Sequence, residues 1–243
     1  MKRTNDDLSA VLGEQRTYYE ARAPEYDDWW QRRGRYDCGA EANARWFAEV
    51  DEVHRWLVEA IGEVDSVLEI AGGTGNFTVQ LARLAKRVTV LDAAPATVAI
   101  ARQRLERAGL AERVEHRVVD VFEWQPIEGK RYDAVSFSFW LSHVPAARRA
   151  EFLGKVARAV APGGVVAIVD SARPSRSAPP GDVQRGELQL RQLDDGRQFE
   201  IVKRYDTPAE LEAELAAHGL VARAARTERY FVYCKATAPP LQT

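Results

Sequence analysis

From Ser66 onward the chain alternates short, nearly unbroken apolar runs with longer segments whose apolar residues recur at helical spacing. The runs 67–71, 87–91, 114–119, 134–138 and 165–170 read as strands, and 75–85, 95–108 and 144–160 read as helices between them. Strands that are apolar on both faces and separated by helices form a parallel sheet covered on both sides. Ahead of them, Trp46, Phe47, Val50, Val53, Trp56, Leu57 and Ala60 mark one face of a helix over 43–61. The pattern changes after Asp170. Residues 173–186 are rich in Pro, Ser and Gly and read as a loop. The runs 188–193 and 199–205 flank Asp194-Asp195-Gly196, a hairpin signal. Thr207 and Glu210 bracket a capping box, and the helix they open runs to Gly219. The last two runs, 220–226 and 229–236, are too close for a crossover and must pair antiparallel.

The expected fold is α/β: a seven-stranded sheet of five parallel strands plus an antiparallel closing pair, with helices on both faces. Residues 1–42, polar yet rich in aromatics, form an N-terminal helical lid segment. The domain proper spans 43–237, with an inserted loop and hairpin at about 173–205, and 238–243 form a loose tail.

Composition narrows the function. The 243 residues carry a formal net charge of -2, without the basic footprint of a nucleic-acid binder. Cys38 and Cys234 are far apart and form no CxxC, so neither a zinc site nor a disulfide framework is indicated. The first ten residues hold no apolar run, and no stretch is long enough to cross a bilayer. The expectation is a cytoplasmic monomer or homodimer acting on a small-molecule substrate, with neither nucleic acid nor membrane as partner.

The chemistry concentrates at strand ends. Val67 to Phe77 is a buried strand that breaks into Ala71-Gly72-Gly73-Thr74-Gly75 and then opens a helix. Glycines let backbone approach a ligand, and a helix N-terminus favours polar or anionic groups. Dinucleotide-binding turns share this setting, but Phe77 and Thr78 stand where their last glycine would fall. Asp92 ends the second strand at the distance where a carboxylate holds a ribose diol. Asp120, between Val119 and Val121 at the end of the third, suits an adenine. The fourth strand ends in Ser138-Phe139-Trp140-Leu141-Ser142-His143, and Pro162-Gly163-Gly164 precedes the fifth.

In this order and spacing the motifs resemble the class I, Rossmann-like S-adenosylmethionine-dependent methyltransferases, particularly the small-molecule branch of the ubiquinone and menaquinone methylases. The resemblance covers about residues 18–236, and Ala71 departs from it where the family motif has its first glycine. It implies methyl transfer from S-adenosylmethionine to an O, N or C nucleophile of a small, aromatic or planar metabolite. It implies that Glu69 with Ala71, Gly72, Gly73 and Gly75 holds the amino-acid part of the cofactor. Asp92 and Ala93 would hold the ribose, and Asp120 and Val121 the adenine. Ser138 and the loop after it would face both cofactor and substrate, and Tyr26-Asp27 would match a Tyr-Asp pair in the family's lid. The rivals are a nicotinamide-dependent oxidoreductase and a non-catalytic binding subunit of the same fold.

Tyr18, Tyr19, Tyr26, Trp29 and Trp30 show no helical periodicity. They either stack a planar substrate or a cationic sulfonium, or dock the N-terminal segment onto the domain. Tyr18, Trp30, Phe139, Trp140 and His143 are the candidate substrate contacts. His143 is also the candidate general base, because an imidazole accepts a proton near neutrality. Its alternative is a satisfied histidine at a helix start, with His54, His116 and His218 read as surface or helix-end residues. Arg32-Arg33-Gly34-Arg35 is ordinarily a solvated run; its alternative is a partner for a carboxylate or phosphate. No metal is expected, since Asp170 has no acidic neighbour at the fourth strand end.

Overall fold

A computed structural model describes residues 5–173 and 183–240. The main sheet has seven strands. They are β1 (Val64–Ile70), β2 (Ala85–Asp92), β3 (Val114–Val118), β4 (Tyr132–Ser138) and β5 (Val160–Ser171), followed by β9 (Val221–Arg226) and β10 (Phe231–Thr237). The spatial order is β3-β2-β1-β4-β5-β10-β9. The first five pair in parallel, while β10 runs antiparallel to both β5 and β9. The chain winds outward from β1 to β3, then returns to β4 beside β1. That reversal opens a crevice at the carboxyl ends of β1 and β4, where this architecture binds ligands.

Alternation along the strands sends side chains into two cores. Leu68, Ile70, Phe137 and Ile168 pack against Phe152, Leu153 and Val156 of α6 (Ala146–Ala159) and Leu211 and Leu215 of α7 (Pro208–Ala216). Val67, Val88, Val90 and Val169 pack against Trp46, Val53 and Leu57 of α3 (Ala40–Ile61) and Leu81 of α4 (Thr78–Leu84). On this second face α5 (Pro95–Arg107) adds Leu105. The Thr207–Glu210 capping box opens α7, with Thr207 N donating to Glu210 Oε2 at 2.7 Å.

The N-terminal segment forms α1 (Asn5–Arg22), a short 3-10 turn (Ala23–Glu25) and α2 (Tyr26–Trp30). The buried stripe of α1 is Val11, Gln15, Tyr18 and Arg22. Half of that stripe is polar, so the apolar pattern gives no sign of where the helix runs. It packs on a second sheet of three antiparallel strands, β6 (Val183–Arg185), β7 (Leu188–Gln192) and β8 (Gln198–Val202). The sequence pattern predicts only the β7–β8 hairpin. β6 falls inside the expected 173–186 loop, of which 174–182 lie outside the described residues. Its three side chains are exposed, so no alternation announces it. Among the described residues no helix is long and apolar enough to cross a membrane.

One buried ion network fastens α6 to α7. Arg149 is 3 % exposed. It donates to Asp206 Oδ2 at 3.0 Å, Glu214 Oε2 at 2.9 Å and the Leu141 carbonyl at 3.1 Å. Arg149→Ala should strand the buried Asp206 carboxylate and lower stability by about 3–5 kcal/mol, read as a lower urea midpoint. A midpoint within error of the parent would show that the network contributes nothing net.

Candidate active site

At the end of β1 the backbone takes left-handed geometry at Ala71 (φ 56°), Gly73 (φ 56°) and Gly75 (φ 83°). The Asp92 carboxylate holds this turn: it accepts from Gly73 N at 2.8 Å, Ala94 N at 2.9 Å and Thr97 Oγ1 at 3.1 Å. Behind it, a Cβ at Gly72 would come within 2.4 Å of Val90 Cγ1, and one at Gly75 within 3.1 Å of Ala101 Cβ. Gly72 and Gly75 are therefore set by close packing. The turn is also tied to the N-terminal segment, since Asp27 accepts from Thr74 Oγ1 at 2.7 Å and pairs with Arg104.

Three clefts adjoin over this turn, and Tyr26 and Phe139 line all of them. The first runs past Ala71, Gly73, Asp92, Ala93, Asp120, Val121 and Trp140, with Leu12, Arg16 and Tyr19 of α1 on the other wall. Asp120 accepts from Phe122 N at 2.9 Å and pairs with Arg16. The second holds Glu69, Gly72, Thr74, Asn76 and Trp30. Glu69 is buried, its Oε2 has no partner among the described residues, and burial pushes its carboxyl up to about 8. Ser138, on both the first and second clefts, also has a buried hydroxyl without a partner among the described residues.

The third cleft, open to solvent, lies between the N-terminal segment, the three-stranded sheet and the end of β5. His143 lines it and is buried. His143 Nδ1 is 2.6 Å from the Val202 carbonyl, which can only accept, so Nδ1 carries the proton. In the neutral ring Nε2 is then an acceptor, and Tyr19 donates its hydroxyl to it at 2.8 Å. Burial, reinforced by Lys203, holds the imidazole well below its ordinary range. Lys203 itself contacts Ser142 Oγ at 2.8 Å and Asp170 at 3.5 Å. Burial lowers it to about 8.

The structure redistributes the candidate residues. Tyr18 does not line any of these clefts. Fully buried, it packs with Leu193, Phe199 and Ile201 between α1 and the hairpin, and the next residue, Tyr19, faces the clefts instead. Trp30 lines the second cleft, inside an aromatic cluster with Trp46, Phe77 and Phe139. Trp140 lines the first, against Phe122. Neither reaches the third cleft, whereas Phe139 and His143 do. Gly75 supports the turn without lining a cleft. His54 is half-buried against Phe77 and Trp30, so it is not a surface residue. Asp170 is buried and paired with Lys203. Sequence reasoning missed Arg22, Gln189, Arg191, Lys203 and Tyr205 on the third cleft. Their spacing carries no motif, and only folding α1 against the inserted strands brings them together.

A family model described as a methyltransferase domain matches residues 67–164. A ubiquinone/menaquinone biosynthesis C-methyltransferase UbiE from Azotobacter vinelandii is 31 % identical over 128 residues, which is 51 % of this chain and 49 % of the relative. The chain thus spans about half the length of the curated relatives it matches. Among solved structures, the DhpI–SAM–HEP complex is 34 % identical over 97 % of this chain and 99 % of its own, with a TM-score of 0.76. The DhpI–SAH complex is likewise 34 % identical over 95 % and 98 %, with a TM-score of 0.73.

The turn yields a paired prediction. Ala71→Gly removes a Cβ from a left-handed position and should raise stability by about 1 kcal/mol. Gly72→Ala drives a methyl into Val90 and should lower it by about 1–3 kcal/mol. Urea unfolding of both variants checks the pair; a stabilised Gly72→Ala would contradict the packing at Val90.

Proposed function

The chain belongs to the class I S-adenosylmethionine-dependent methyltransferases, and from that premise we propose that it methylates a proton-bearing oxygen or nitrogen of a small metabolite held in the third cleft. The nicotinamide alternative falls with that membership. The observation that carries the reading is the Tyr19–His143 pair, which sits on the cleft that Tyr26 and Phe139 join to the other two.

The residues fit the cofactor on their own chemistry. Glu69 Oε2 and Ser138 Oγ, buried in the second cleft and without partners among the described residues, suit the donors of an amino-acid group. The first cleft, with Asp92, Ala93, Asp120 and Val121 beside Phe122 and Trp140, suits a nucleoside. Asp92 has committed oxygens to the turn, so its sugar contacts would come from remaining lone pairs. When bound, S-adenosylmethionine supplies a methyl group already activated by its sulfonium. The protein's work is then alignment and exclusion of water.

Tyr19 is placed to accept the acceptor's proton as its own hydroxyl proton passes to His143 Nε2. Nδ1–H stays on the Val202 carbonyl and fixes the ring. Trp29, Trp46, Phe139, Tyr205 and Tyr230 on the same cleft support an acceptor with a flat or apolar part. The N-terminal segment, covering all three clefts with Tyr26, acts as the lid in this reading.

Two measurements test it. Tyr19→Phe and His143→Asn should each lower kcat by about 10²–10⁴ with cofactor affinity nearly unchanged. The active imidazole is the neutral form and titrates well below 6.5, so the rate should stay level as pH falls through 6.5 and decline only in more acid solution. Normal turnover in both variants would remove the dyad from catalysis.

The second concerns Glu69. With its carboxyl at about 8 it is mostly protonated at neutral pH, and an ammonium beside it favours the ionised form. Cofactor binding at pH 7 should therefore release about one proton, and Glu69→Gln should abolish the release. Calorimetry in buffers of different ionisation enthalpy reads it. Unchanged proton release in Glu69→Gln would refute the contact.

A further inference from the structure

The chain as a whole is slightly acidic, with a net charge of -2. Yet the third cleft is lined by Arg22, Arg32, Arg191, Lys203 and Arg229, and among the described residues no carboxylate side chain lines it, the Asp170 partner of Lys203 lying outside that lining. Arg22 is the most telling. It is 6 % exposed, and its Nε has no partner among the described residues. Its neighbours are aromatic: the guanidinium lies 5.6 Å from the Tyr18 ring and 5.0 Å from the Tyr26 ring, and donates weakly to Tyr36 Oη at 3.4 Å. Among the described residues it forms no ion pair with a carboxylate. A guanidinium does not shed its proton, and burying a charge without a counter-charge is strongly unfavourable. A buried, permanently charged fork with aromatic walls on an open cleft is a receptor for a planar or tetrahedral oxyanion. Gln189 adds a second unmet group: it is 3 % exposed, lines the same cleft, and its Oε1 has no partner among the described residues. That oxygen calls for a donor such as a hydroxyl or amine.

The cations come from separate parts of the chain. Arg22 ends α1, Arg191 lies on β7, and Lys203 directly follows β8. All three stand outside the parallel sheet, on the elements that distinguish this chain's acceptor cleft from its cofactor clefts.

We propose that the methyl acceptor is an anion, a small hydroxy- or amino-compound bearing a carboxylate or phosphate-type oxyanion that docks on Arg22, Arg191 and Lys203. This rests on the methyl-transfer reading above for the word acceptor, but the docking itself does not require turnover. The alternative use of these cations is to hold the cofactor's own carboxylate. The two uses separate experimentally.

The full chain, saturated with S-adenosylhomocysteine, is titrated with inorganic phosphate, acetate and glycerol while the arginine Nε–H signals are followed by NMR. Phosphate or acetate should shift the signals of Arg22 and Arg191 saturably and glycerol should not; whichever anion binds tighter separates a tetrahedral from a planar oxyanion. Arg22→Gln and Arg191→Gln should each weaken that anion by roughly 10–100-fold while S-adenosylhomocysteine affinity is retained, which also shows that the variants fold. Should Arg22→Gln misfold, Arg191→Gln on the hairpin carries the test. The proposal is overturned if the variants lose S-adenosylhomocysteine affinity instead, or if the anions act no differently from glycerol. It is also overturned if anionic acceptors are methylated equally by parent and variants. Anion docking without methyl transfer to any acceptor in a panel of hydroxy- and amino-acids and phosphate esters would instead sink the methyl-transfer reading and leave the docking intact.

Discussion

Everything at the site hangs on how the backbone leaves β1. Asp92, from the neighbouring strand, gives its carboxylate to Gly73 N and to the first turn of α5, locking two loops to each other. Val90 and Ala101 leave no room for side chains at Gly72 and Gly75, so the chain must turn tightly between sheet and helix. The turn is forced into left-handed geometry even at Ala71, where a non-glycine residue carries a cost of about 1–2 kcal/mol. Such strain persists only where the surroundings over-determine the conformation, as the Asp92 bonds and the α5 contact do here. The result is a tight turn whose small residues, Ala71, Gly72 and Gly73, line the first two clefts. Phe139, itself at φ 56°, is set by the end of β4 to face the same point.

The second wall has a different origin. Helix α1 and the inserted strands pack on each other through a small core of two clusters, Tyr18 with Leu193, Phe199 and Ile201, and Val11 with Leu188 and Val202, distinct from the two that hold the main sheet. Gln15 stitches them together, accepting from Val202 N at 3.0 Å and donating to the His143 carbonyl at 3.2 Å. The same strand end therefore fixes the His143 ring through the Val202 carbonyl and places Lys203. Tyr19, Arg22 and His143 reach the third cleft because this small core docks at the loop after β4. The parallel sheet supplies the first two clefts, and the inserted sheet supplies one wall of the third.

That division explains what the sequence made legible. Parallel strands, the capping box at Thr207 and the closing antiparallel pair all follow local rules of period and spacing, and they appear in the structure close to where the pattern puts them. The glycine turn and the acids at Asp92 and Asp120 sit at fixed points of that pattern. The third cleft has no such periodicity. The α1 stripe is half polar, β6 is wholly exposed, and Lys203 stands at a strand end where a solvated lysine is the ordinary reading. Tyr18 and Tyr19 are indistinguishable in composition. Only the direction in which α1 meets β8 decides that Tyr18 is core and Tyr19 faces the cleft. His143 was legible as a position but not as a state: its proton is placed by a carbonyl 59 residues away.

The charges on the third cleft and the His143 imidazole within it are physically coupled. His143 is depressed first by burial, then by Lys203, with Arg191 and Arg22 adding to the effect. Taken alone, this makes the imidazole a weak proton acceptor, well suited to staying neutral but poorly suited to becoming an imidazolium. An oxyanion docked on those same cations would offset their field at the ring, and an opposite charge nearby favours the protonated imidazole. Lys203, lowered to about 8 by burial, would be held charged by the same anion. In such an arrangement the acceptor's own charge strengthens the base that its nucleophile requires. A neutral molecule in the cleft would meet a histidine reluctant to take its proton. On the proposed reading, selectivity and catalysis would both arise from one set of cations, assembled by the packing of α1 on the inserted strands.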